Sequence, residues 1–277
     1  MMPNSKIKGG RLFAVLLGMA ISPGAWATAT ANSDIDFTNL QIIPAVGTVQ
    51  LLDNWSVESY AEAQNSLGGY DAHYQSSYPG GSAAADALVP MAAGHGAANS
   101  PSPPPFPPDL SVTGHASSLT DVPGAGASAQ SSGRGTLSNT LVVTGGTGTA
   151  AINFAAGISG LLHVFTDSLG LLAETEVIFS MEIFGLPDTG AGPQNSLVLF
   201  SDRHLTIGSN TLIDQSFAET LAGSAQLGFD TPYGFLIQVD SESRAVAVDE
   251  PPMPALLLAG VAFLLKRRRS QYSEGRW

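Results

Sequence analysis

Carboxylates carry most of the chemistry that this sequence offers. Glu174, Glu176 and Glu182 fall in one stretch with strand-like alternation, so Glu176 and Glu182 share a face. Hydrolysis of a glycosidic bond needs two acids ~5–9.5 Å apart across a cleft. Six residues at ~3.3 Å each put these two about 20 Å apart, so they fail as a pair. Asp34-Ile35-Asp36 and Asp240-Ser241-Glu242 each set two acids on one face of an extended segment, which could hold calcium. Neither has the order of an EF-hand loop or of a glycine-rich nonapeptide. No cofactor and no metal site are expected; calcium is the one ion the sequence admits. His73, His95, His115, His163 and His204 are scattered, and no two have the i, i+4 spacing of a helical zinc site. His163, within an apolar run, and His204, beside Arg203, read as structural or surface side chains. There is no cysteine, which excludes disulfides, thiolate metal sites and a cysteine nucleophile. No Gly-x-Ser-x-Gly elbow occurs, and Gly157-Ile158-Ser159-Gly160 reads as a turn. Gly145-Gly146-Thr147-Gly148 lacks the Lys-Ser/Thr pair of a phosphate loop and reads as a hairpin turn.

Aromatic residues offer a different chemistry. Tyr60, Tyr70, Tyr74 and Tyr78 cluster near a glycine-rich region. A flat face of tyrosines can stack on sugar rings in a polysaccharide, although an ordinary interface has the same composition, and both alternatives stay open.

The elements that must position these residues are short and apolar. Runs at 141–144, 151–154, 161–166, 174–184, 197–200, 205–207, 211–217, 225–229 and 235–248 are separated by Gly, Pro, Asn and Asp. In 174–184, Val177, Phe179, Met181 and Ile183 share one face, expected in a core; Glu176, Ile178, Ser180 and Glu182 share the wet one. Residues 37–51 read as two short strands around a turn at Pro44 and Gly47, and 58–66 have weak helical character. From about 68 to 134 the pattern dissolves into Gly, Ala and Pro, with six prolines between 101 and 108, which reads as a long irregular insertion. The expected architecture is all-β: one body over 28–248, an antiparallel β-sandwich, jelly-roll-like in size, with that insertion projecting from one end. Between residues 28 and 250, Arg134, Arg203 and Arg244 stand alone against twenty-two carboxylates. A body so acidic repels nucleic acid, and none is expected as a partner.

The two ends carry an address. Lys6, Lys8 and Arg11, an apolar run over 12–21 and Ala25-Trp26-Ala27 form a secretory signal, with cleavage by signal peptidase expected after Ala27. At the other end Asp249, Glu250 and Pro251 open a proline-rich break. An apolar helix over 255–265 follows, containing Ala255, Leu256, Leu257, Leu258, Phe263, Leu264 and Leu265. Lys266, Arg267, Arg268 and Arg269 then form a basic stop, leaving 270–277 as a cytoplasmic tail. Eleven apolar residues fall short of the ~20 that span a bilayer with ease, so the anchor is marginal and suits transient retention. This order of acidic-proline motif, apolar helix and arginine cluster behind a signal peptide resembles the PEP-CTERM proteins exported by bacteria. Glu250 and Pro251 match the motif, and Asp249 stands where its first proline usually does. The resemblance covers the tail at 249–269 and is silent about the body. It implies recognition by a membrane-embedded transpeptidase, the exosortase, and residence at the surface or in an exopolysaccharide matrix. The body is expected to be non-enzymatic. A polysaccharide hydrolase with paired carboxylates and a calcium-dependent adhesive module are the alternatives.

Overall fold

The computed structural model describes residues 28–52, 55–100, 109–123, 126–167, 171–186 and 196–247. The expected export segment with Ala25 and Ala27, the expected sorting motif at Asp249, Glu250 and Pro251, the apolar run 255–265 and the basic cluster 266–269 lie outside the described residues. Among the described residues there is no helix, and hence none long and apolar enough to cross a membrane.

Strands are the only regular elements of the described body. In order they are β1 (Ala29–Pro44), β2 (Thr48–Leu51), β3 (Ser56–Asn65), β4 (Tyr70–Ser77), β5 (Gly81–Val89), β6 (Ala92–Ser100) and β7 (Asp109–Val122). There follow β8 (Ser128–Thr144), β9 (Thr149–Thr166), β10 (Leu172–Gly185), β11 (Ser196–Ile207), β12 (Thr211–Gly228) and β13 (Pro232–Val246). The first sheet runs β12-β9-β1-β7-β6-β5 and the second β11-β10-β13-β8-β3-β4, with β2 paired to β8. Neighbouring strands are antiparallel, and the two sheets stack as a β-sandwich.

Period-two burial is what fixes the faces. Val177, Phe179, Met181 and Ile183 of β10 are buried as their alternation requires. They join Phe37, Trp55, Phe154 and Phe235 in a core drawn from both sheets, with the Phe37 and Phe179 rings 5.2 Å apart and Trp55 edge-on to Phe235 at 5.4 Å. In β1 the buried set switches from Ile35 and Phe37 to Leu40 and Ile42. Asn39, at a φ of 51°, makes a bulge there that shifts the register to both neighbours. The bulge keeps the apolar residues inward on both sides of the kink. Residues 37–51 are thus one long strand and one short one, turned at Gly47 with a φ of 84°. The Gly145–Gly148 stretch is a turn, with positive φ at Gly145 and Gly148, but not the expected hairpin: β8 and β9 do not pair and belong to different sheets, so the turn carries the chain from one sheet to the other.

Three further sequence expectations are corrected. Residues 68–134 are not an irregular insertion: they supply β4, β5, β6, β7 and the start of β8, inside both sheets, while the proline-rich 101–108 lie outside the described residues. Apart from Val89, Leu110, Val112, Thr120 and Val122, their inward residues are Gly, Ala and Ser, so over most of the segment the alternation is one of size and leaves little trace in hydropathy. Residues 58–66 are not helical, because β3 pairs on both edges with β4 and β8, and such pairing outweighs local preference. Gly157-Ile158-Ser159-Gly160 is no turn but mid-strand in β9, where a Cβ on Gly160 would lie 2.2 Å from the Asp34 carbonyl oxygen.

The small-residue half of the sandwich is thin. A Cβ on Gly133 of β8 would meet the His95 carbonyl oxygen of β6 at 1.8 Å, and one on Gly96 the Arg134 carbonyl oxygen at 2.1 Å. The two backbones approach more closely than any side chain permits, which is why glycine stands there. Beside this contact, Ser33 and Ser118 of the first sheet meet Ser241 and Ser243 of the second in a buried hydroxyl cluster. The oxygens are 2.7 Å apart for Ser33–Ser241 and 2.8 Å apart for Ser33–Ser118, Ser118–Ser241 and Ser118–Ser243. Each hydroxyl can donate to one neighbour and accept from another, which satisfies these buried polar atoms within the cluster.

Candidate functional site

The outer face of the second sheet gathers the tyrosines and most of the acids singled out in the sequence. Tyr60 on β3 stands opposite Tyr74 on β4 and Arg134 on β8; the row continues through Asp240, Ile178 and Asp202. The next row runs Glu62, Ser132, Glu242, Glu176 and His204. A third runs Tyr70, Gln64, Gln130, Arg244 and Glu174. Tyr70 and Tyr74 are 64% and 59% exposed on the edge strand, while Tyr78 lies beyond the end of β4 and outside these rows.

Polar contacts hold this face in place. The Tyr60 hydroxyl donates to Glu62 at 2.5 Å, and that bond, reinforced by burial, pushes the phenol up to about 12. Arg134 Nε donates to Asp240 at 2.5 Å, Gln238 donates to the same carboxylate, and Gln130 donates to Glu242 at 2.7 Å. A shallow hollow of about 210 Å³ lies between Tyr60, Arg134, Glu176, Ile178, Asp240 and Glu242. Burial raises the Glu176 carboxyl above the usual carboxylate range; Asp202, Glu242 and Glu174 add to this against the opposing His204. Glu176 and Glu182 lie along one strand, as their spacing requires, and do not meet. The fold instead sets Glu176 directly opposite Glu242. Asp240 and Glu242 are each taken by neighbouring side chains, and Asp240-Ser241-Glu242 forms no ligand cluster.

The first sheet displays the histidines. His95 Nδ1 lies 2.6 Å from Asp86, His115 Nδ1 2.9 Å from Asp36 and His163 Nδ1 2.5 Å from Asp214, each pair directly opposite across two strands. His204 and Glu174 make the same kind of contact on the second sheet at 2.8 Å, and His73 lies 3.1 Å from Asp71 within β4. Around one of these pairs the fold adds a further acid. Asp34, Asp36 and His115 each bring a ligand atom within 4.8 Å of the others.

His115 beside Asp34 and Asp36, and Arg134 beside Tyr60, were not found in the sequence as site residues. A signal was present. Gly94-His95-Gly96, Gly114-His115-Ala116 and Gly133-Arg134-Gly135 are small-polar-small triplets. Small residues that must face a backbone leave the central polar residue facing outward. Compared with protein-family models and with curated proteins, the chain matches none.

Proposed function

We propose that this chain is an exported, non-enzymatic protein of the bacterial cell envelope or extracellular matrix, and that the outer face of its second sheet binds exopolysaccharide. The signal segment sends the body across the membrane. The tail at 249–269 retains it there until an exosortase-type transpeptidase acts near Glu250 and Pro251. The body, a sandwich of jelly-roll-like size, then remains at the surface or in the matrix.

One observation carries the binding: Tyr60, Tyr70 and Tyr74 lie on a single solvent-facing surface beside Arg134, Glu62 and Gln130. Sugar rings present C–H faces that stack on phenol rings, and their hydroxyls bond to carboxylate, amide and guanidinium groups alongside. The excess of carboxylates selects neutral glycans over anionic ones. Affinity electrophoresis of the full chain through neutral and acidic polysaccharides tests this. Retardation by a neutral glycan that is lost in a Tyr70→Ala/Tyr74→Ala variant is expected; unchanged retardation in that variant refutes the surface. Mass spectrometry of the protein from its host tests the address, because an intact Arg269 in the extracellular fraction is incompatible with processing.

The facing of Glu176 and Glu242 favours a second reading, polysaccharide hydrolysis. Directly opposed strand residues have Cβ atoms ~4.5–5.5 Å apart, and carboxyls two bonds beyond them can be set at the ~5–5.5 Å that retaining glycosidases use. Release of reducing ends from a bound glycan, abolished in Glu176→Gln and Glu242→Gln, would replace binding by catalysis as the function.

A further inference from the structure

We propose that His115, Asp34 and His95, on the outer face of the first sheet, bind one divalent transition-metal ion of the zinc class, with Asp36 and Asp86 orienting the two imidazoles. The three donors come from the adjacent strands β6, β7 and β1. His115 has Asp36 on its Nδ1 side at 2.9 Å and Asp34 on its Nε2 side at 3.8 Å. The first is a hydrogen bond; the second is too long for one. It is shorter than the sum of two metal bonds of ~2.0–2.1 Å each, so one ion can take both atoms. Nδ1 bound to a carboxylate with Nε2 turned to the ion is the arrangement in which a ligating histidine gains basicity and a fixed ring.

His95 repeats the arrangement. Its Nδ1 is 2.6 Å from Asp86, its ring centre is 5.2 Å from that of His115, and Nε2 is the nitrogen left over. His95 stands outside the 4.8 Å cluster of Asp34, Asp36 and His115, but in its cross-strand row only Ser117 separates it from Asp34, and above so small a side chain its ring can turn Nε2 to an ion held there. Two imidazoles and a carboxylate suit zinc, copper or nickel, whereas calcium takes six to eight oxygens and has no use for a ring nitrogen. Calcium, which Asp34 and Asp36 alone suggest, is thereby disfavoured. His163 supplies an internal comparison: it has the same pairing with Asp214, but the residue directly opposite it on β1 is Asn32, and it stands outside the cluster of Asp34, Asp36 and His115.

Calorimetric titration of the full-length chain with zinc, and separately with calcium, tests the assignment. One zinc ion per chain is expected, with calcium far weaker. His115→Ala, the near-isosteric His115→Gln and Asp34→Asn should each weaken zinc by at least tenfold, about what loss of an orienting partner alone costs. His163→Ala should bind as the parent does. These side chains face solvent, so the variants keep the core, and an unaltered unfolding transition verifies it. Undiminished zinc affinity in both His115 variants, equal loss in His163→Ala, or calcium binding as tightly as zinc overturns the site.

Discussion

Glu176 shows how a single side chain reports its surroundings. Burial, with three acids near it, raises its carboxyl above its unfolded value, so near neutral pH its ionised form costs the folded state free energy. In such a case the folded chain takes up the proton before the unfolded chain does, and stability rises as pH falls through the raised value. Asp34 behaves in the same sense, with burial its largest cause and the His115 charge opposing it. Glu219 is opposite: hydrogen bonds from Arg203 and Ser201 lower it, and the stability it gives is present above its unfolded value and lost as pH falls through the lowered one. Glu176→Gln keeps the shape and removes the charge. Thermal unfolding should therefore show the variant more stable than the parent near neutrality, with the gain vanishing once the carboxylates are protonated. A variant less stable at neutral pH would mean that Glu176 is held by contacts its charge requires, such as an ion pair with His204.

At the scale of the strands, the thin half of the sandwich depends on glycine as a spacer. Ala in place of Gly133 puts a methyl 1.8 Å from the His95 oxygen, and neither backbone can retreat without parting the sheets. Urea unfolding of Gly133→Ala should show a loss at or beyond the upper end of the ~1–3 kcal/mol that overpacking costs. Ser33→Ala is predicted to be much milder, near the ~1 kcal/mol of one net hydrogen bond, because Ser118, Ser241 and Ser243 go on satisfying one another. A large loss in Ser33→Ala would mean that the hydroxyls act as one unit. These strands are also where the sequence was hardest to read. β10 was legible because Val, Phe, Met and Ile alternate with polar residues. In β6 the inward partners of His95 are Gly94 and Gly96, which hydropathy scores as loop, so the strand was hidden although its period was intact. The same blindness concealed the site on the first sheet: Asp34 and Asp36 were visible as a pair, but His115 joins them only through the β1–β7 register, across 79 positions in the chain. The tyrosine surface was half visible. Tyr60, Tyr70 and Tyr74 could be grouped by sequence, whereas Arg134 and Asp240 reach them only by strand order.

For the whole molecule, charge is the dominant long-range force. Three arginines oppose twenty-two carboxylates between residues 28 and 250, and two of the arginines, Arg134 and Arg203, are engaged with Asp240 and Glu219. Both are single, partly exposed pairs of modest worth, so the remaining acids repel one another across both outer faces. Repulsion also protects the sandwich, because β12, β5, β11 and β4 end the sheets without closure, and like-charged copies resist edge-to-edge pairing. Ionic strength separates the two effects. Going from about 0.01 M to about 0.1 M salt shortens the screening length from ~30 Å to ~10 Å, which removes repulsion between faces and leaves near neighbours almost untouched. The unfolding temperature should rise by roughly 2–4 °C over that range, the shift that about 1 kcal/mol makes in a domain of this size, and level off above it. Scanning calorimetry in a monovalent salt would measure it. A falling temperature would show instead that the ion pairs of Arg134 and Arg203 outweigh the surplus, and that the acidic surface is organised around them.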